Sequence, residues 1–125
     1  MCIRDSIKRA KVFVKDAKNN FKNKDFDVCM FHLEQAAQLL IKAKLLDLKG
    51  VFPRTHSLRL LLLELKKEGF KQTELEEFVE KNKKVLRNLE RAYISSRYMY
   101  EEFFEDEVKD AFRVVRELEG LLWKD

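Results

Sequence analysis

Only one proline and three glycines interrupt the 125 residues, while apolar side chains recur at four- and three-residue intervals along most of the chain. A backbone with so few breakers and that period winds into helices and argues against an all-β fold. Ile3, Ile7, Ala10, Val14, Ala17 and Phe21 form the first apolar seam and predict a helix from about Asp5 to Phe21. Asn19, Asn20 and Asn23 then weaken it into a short turn. Phe26, Met30, Leu33, Ala37, Leu40, Ile41, Lys44 and Leu48 share one face of a second helix, Phe26 to about Leu48, with Cys29 and Ala36 beside them. Asp25 carries the carboxylate of a good N-cap, Asp27 suits the positive end of the helix dipole, and Gly50 supplies the stop.

After a loop through Pro53 and His56, Thr55 or Ser57 is placed to cap a third helix. Leu58, Leu60, Leu61, Leu62, Leu63 and Leu65 make that helix apolar nearly all round, the mark of a central helix or of one covered by a second subunit. Gly69 ends it, and Thr73 is the expected cap of a fourth helix running to about Ser96. Phe104, Val108, Ala111, Val115, Leu118 and Leu122 define a last helix from about Glu102 to Trp123. The pattern predicts one all-α domain over residues 1–125, an antiparallel up-and-down bundle of about five helices. The leucine surplus of the third helix leads us to expect a homodimer.

Apolar residues are 46% of the chain, enough for a core, and the 38% of charged residues suits solvated outer faces. The formal charge of +4 is unevenly spread. Residues 1–25 hold eight Lys or Arg against three Asp, and residues 81–97 hold six against one Glu. Residues 101–110 reverse the balance with six acids against Lys109. Such basic stretches can bind a polyanion, and the plainer alternative is ordinary solvated helix faces. The acidic segment also fits a solvated helix start, or a contact with the basic first helix of another subunit.

No apolar run reaches the length of a membrane span, so no membrane partner is expected. Two cysteines without a metal-ligand pattern fit a reducing cytoplasm, with Cys29 a buried thiol. The opening six residues have no targeting character and carry no functional reading, since such a start can also come from read assembly.

The chain has no Gly-rich phosphate loop, no paired acids at metal spacing, and no Ser-His-Asp or Cys-His arrangement. Two histidines as far apart in sequence as His32 and His56 are poor zinc ligands, so neither metal nor cofactor is expected. His32 falls on the flank of the second helix's apolar stripe, as a packing histidine or a ligand contact. His56 is placed to order the loop into the third helix, and is with His32 a further candidate for contact with a nucleotide or RNA. Arg97 and Tyr98 are the strongest candidates for contact with a nucleotide or RNA, with the guanidinium on a phosphate and the ring under a base. The structural alternative pairs Arg97 with Glu101 or Glu102.

Three stretches, in order, resemble HEPN domains, small helical proteins tied to nucleotide and RNA biology. Phe31 to Ala43 is similar to their second helix. Thr55-His56-Ser57-Leu58, followed by Leu61, Leu62 and Leu65, is similar to the His-Ser/Asp-Leu entry of their third. Leu89 to Tyr98, with Ala92-Tyr93 and Arg97-Tyr98, resembles the Ala-Tyr-x-x-x-Arg-Tyr helix end of one large branch that includes small stand-alone prokaryotic and archaeal members. The sequence departs at Gln38-Leu39, where relatives commonly have Glu-Lys, and at Met99-Tyr100, where Pro-Asp often follows.

Ribonucleases of the family carry Arg and, four to six residues on, His. Here Arg97 is followed by Tyr98 to Glu105 with no His. Metal-independent cleavage needs a group that exchanges protons near neutral pH, which Glu or Tyr normally is not. The resemblance therefore implies a non-catalytic accessory domain that binds a nucleotide, RNA or a partner nucleotidyltransferase, in a toxin–antitoxin or stress-response setting. The alternatives are a divergent ribonuclease, with His32 or a Glu replacing the missing His, and a purely structural helical adaptor.

Overall fold

The computed structural model describes residues 2–98 and 101–124, with residues 96–98 described as backbone. Six helices occupy the described residues: α1 Ile3–Lys22, α2 Phe26–Lys49, α3 Leu58–Lys67, α4 Gln72–Lys81, α5 Lys83–Tyr98 and α6 Glu105–Trp123. No strand occurs among them.

The turn between α1 and α2 is tight, with Lys24 at φ 61°, and it folds the two helices back along each other. Phe13 meets His32, Cys29 donates its thiol to the Ala17 carbonyl at 3.2 Å, and Phe21 meets Phe26. Those pairs descend one helix as they climb the other, so α1 and α2 are antiparallel. The same argument sets α5 against α2, with Phe31 on Tyr93 and Glu34 near Glu90. It sets α6 against α1 through Phe21 and Phe112 at one end and the furrow lined by Ala10 and Lys124 at the other. The four long helices alternate in direction along the chain, the up-and-down arrangement the sequence pattern predicts. The short pair α3 and α4 is inserted between α2 and α5.

The central helix is α2, whose buried residues include Met30, Leu33, Leu40, Ile41 and Leu45. Ala36, Ala37 and Ala43 are also fully covered and let neighbouring backbones approach. Of the two expectations for α3, a central helix or one covered by a second subunit, the structure does not bear out the first. There Leu58, Leu61, Leu62 and Leu65 do face the core, but Leu60 and Leu63 remain 52% and 40% exposed. At ten residues α3 is too short to carry a bundle's axis.

Capping also differs from expectation in part. Gly50 takes the left-handed conformation, φ 79°, that closes α2. Ser57 caps α3 by accepting the Leu60 amide at 3.3 Å, while Thr55 accepts the Ser57 amide at 3.1 Å. Asp25 occupies the cap position of α2, yet its ψ of 71° departs from the extended cap geometry and its carboxylate makes no cap bond. Lys71, not Thr73, precedes α4. It takes φ 40°, and its ammonium donates to the Leu121 carbonyl at 2.7 Å, while the Gln72 carboxamide donates to the Lys66 carbonyl.

The single helix expected from Thr73 to Ser96 is two helices that meet at Asn82. This residue is 1% exposed. Its Nδ2 donates to the Phe78 carbonyl at 2.9 Å, and its Oδ1 accepts from Arg113 of α6 at 3.4 Å. A side-chain amide that competes with the backbone for a carbonyl is a local reason for the helix to break. The last helix starts at Glu105, after the Glu102 expected, where the Glu107 carboxylate accepts the Phe104 amide at 2.9 Å.

Candidate functional site

The polar residues buried in α2 organise the site. Glu34 lies in the four–three register of Met30, Ala37 and Ile41, so an acid is carried into the core. Its side chain is 0% exposed. The two carboxylate oxygens accept one bond each, from Gln35 Nε2 at 2.8 Å and from Gln38 Nε2 at 2.5 Å. Burial pushes its pKa up from 4.5 to about 7, against the two amide bonds and the nearby Lys42 ammonium, which pull it down. Lys42, two turns along, is itself lowered by burial, and its ammonium sits over the Phe52 ring at 5.2 Å.

Above this cluster lies a small pocket of about 230 Å3 between α2, the α2–α3 loop and α5. Gln35, Gln38 and Lys42 line one side, and Phe52, His56 and Tyr93 the other. The His56 imidazole lies on the Tyr93 ring, with centroids 4.4 Å apart and planes 24° from parallel. The walls combine flat rings, two carboxamides and one ammonium, a set that can stack a planar group, read its hydrogen-bonding edge and neutralise an attached anion.

His56 thus belongs to this pocket as well as to the loop. His32 stands apart from the pocket lining. Its Nδ1 donates to Asn20 Oδ1 at 2.6 Å, and its ring packs between Phe13 and Phe31, 5.7 and 5.9 Å away. The two histidines are nevertheless joined by a run of rings, His56–Tyr93–Phe31–His32–Phe13, that crosses α5, α2 and α1. Arg97 and Tyr98 end α5, and their side chains lie outside the described residues. Glu101, one expected partner of Arg97, accepts a hydrogen bond from Arg91. Glu90, beside it on α5, is bound by Arg59 of α3 at 2.9 Å.

Glu34, Gln38 and Lys42 were not singled out from the sequence. The available signal was an acid at an apolar register position, with Gln38 four residues on, where a helix face otherwise reads as core. Among the described residues no group of three His, Cys, Asp or Glu could hold a metal ion, and no helix is long and apolar enough to cross a membrane.

The HEPN domain family profile matches residues 3–123. No curated protein and no solved structure matches the chain. With the match running from the first turn of α1 to the last residue of α6, this chain belongs to the HEPN domain family.

Proposed function

We propose that this protein is a non-catalytic HEPN accessory domain that holds a nucleotide in the pocket between α2 and α5. The observation that carries the reading is the wall chemistry of that pocket. His56 and Tyr93 offer stacked rings, Gln35 and Gln38 offer amide edges, and Lys42 offers a cation. A base, its edge and a phosphate need those three functions. The non-catalytic part is supported by the sequence, since both histidines precede Arg97 and none follows it. Arg97 and Tyr98, close along α5 to Tyr93, extend the same reading to a strand of RNA.

Family membership supports a nucleotidyltransferase as protein partner, in a toxin–antitoxin or stress-response system. The exposed Leu60 and Leu63 support a homodimer formed through α3.

The test is titration of the purified protein with ATP and with a short single-stranded RNA, beside Arg97→Ala and His56→Ala, with RNA cleavage followed in parallel. Binding without cleavage, weakened by His56→Ala, is the expected result. Cleavage lost in Arg97→Ala would establish a ribonuclease instead. Neither binding nor cleavage would leave a protein-interaction adaptor.

A further inference from the structure

Helix α1 carries Lys8, Lys11, Lys15, Lys18 and Lys22 at alternating spacings of three and four. That spacing puts all five on one side of the helix, spread over about 21 Å at 1.5 Å per residue. All five are exposed, and none makes an ion pair among the described residues. Lys44, Lys49, Lys66, Lys81 and Lys109 have carboxylate partners, whereas the stripe sets five unpaired ammonium groups in a row on one helix. The acids of α1, Asp5 and Asp16, fall on the flank of the stripe away from α6.

Beside the stripe runs a furrow between α1 and α6. It consists of two adjoining hollows of about 360 and 620 Å3 that share Val14, Lys18 and Glu119. Lys11, Lys15 and Lys124 edge the first, and Lys22 and Arg116 edge the second. Phe21 and Phe112 line the second, half-buried and edge to face with centroids 5.9 Å apart. Among the described residues Glu119 is the one acid lining either hollow, set among these cations.

The geometry points to a docking track for single-stranded nucleic acid along α1 and α6. Phosphates lie on the lysine stripe and bases enter the furrow over Phe21 and Phe112. A cationic rim alone would suit any polyanion. The aromatic floor selects a strand with unpaired bases, whose faces can reach the rings, over a duplex that offers only its backbone. The track shares no residue with the Gln38–His56 pocket and stands or falls independently of the nucleotide reading made there.

The experiment is fluorescence anisotropy of the full chain with a short mixed-sequence single-stranded RNA, the same DNA strand, and the RNA duplex, across a salt series. Anionic phospholipid vesicles serve as a competing polyanion. Both single strands should bind more tightly than the duplex. The triple variant Lys11→Gln, Lys15→Gln, Lys18→Gln should weaken single-strand binding more than tenfold. It should also flatten the salt slope by about 2, at roughly 0.7 for each phosphate left without its lysine. Phe112→Leu, checked for retained helicity, should remove the preference for single strands. ATP binding should be unchanged in the lysine variant, so failure of the track and failure of the pocket read out separately. A charge-matched control, Lys83→Gln, Lys84→Gln, Lys109→Gln, that weakens binding equally would overturn the proposal. So would a duplex bound as tightly as the strand, or vesicles that bind while RNA does not.

Discussion

The imidazole of His56 lies flat on the phenol ring of Tyr93, 4.4 Å between centroids, and joins the loop before α3 to the middle of α5. One residue comes from the His-Ser-Leu stretch and the other from the Ala-Tyr stretch, thirty-seven positions on. The fold thus brings together two motifs that sequence alone shows only in order. If this stack forms the base platform, His56→Ala should weaken ATP binding about tenfold, since stacking on an aromatic ring is worth roughly 1–3 kcal/mol. Tyr93→Phe keeps the ring and should change binding far less. Calorimetric titration of both variants decides it, and equal losses would move the recognition from ring to hydroxyl.

Glu34 makes stability depend on pH in a definite direction. Its proton is held more tightly in the folded chain, about 7 against 4.5. The stabilisation from protonation is therefore complete below pH 4.5 and is lost as pH rises through about 7. Glu34→Gln keeps the shape and removes the titration. At roughly 1.4 kcal/mol per tenfold change in proton affinity, the substitution should stabilise by up to about 3 kcal/mol above pH 7.5 and by little at pH 4.5. Thermal melts of both proteins from pH 4.5 to 8.5 test this, and a gap that stays constant with pH would show that the carboxyl is not buried as described.

The two thiols should react very differently. Cys2 is exposed, whereas Cys29 is buried, donates to the Ala17 carbonyl at 3.2 Å, and is pushed by burial up to about 12. A thiolate is the reactive form, so Cys29 is closed to alkylation while the bundle stands. Mass spectrometry after mild iodoacetamide treatment should show one modified cysteine in native protein and two in denaturant. Native modification at Cys29 would mean that α1 and α2 separate readily.

Leu60 and Leu63 rim a hollow of about 880 Å3 between α3 and α4. If a second copy covers it, light scattering should give twice the monomer mass at micromolar concentration. The double variant Leu60→Lys, Leu63→Lys should then run as a folded monomer. A wild-type monomer at every concentration would leave this face to another partner.

The fold is most legible in the sequence where side-chain type and register agree. The apolar seams of α1, α2 and α6 lead to helices that lie close to where the spacing puts them. Legibility fails where a polar residue occupies an apolar register position. Asn82 falls in phase between Phe78 and Leu86, so periodicity passes across it unbroken while its carboxamide splits the chain into α4 and α5. Glu34 and Gln38 hide in the same way within α2. His56 is legible as an ordered loop residue and a candidate contact for a nucleotide or RNA, but its partner Tyr93 lies beyond any local pattern. Polar groups in core register are where packing and hydrogen bonding outweigh propensity, and they have to be located in three dimensions.

Trp123, the chain's one tryptophan, closes α6 with its indole N–H on the Leu40 carbonyl at 3.1 Å and the Lys44 ammonium 4.5 Å above its ring. The molecule therefore carries its own optical gauge at the seam where the last helix meets the central one. Emission from that ring changes when α6 lifts from α2, so arrival of a strand, a second copy or another protein on either helix can be followed without attaching a dye.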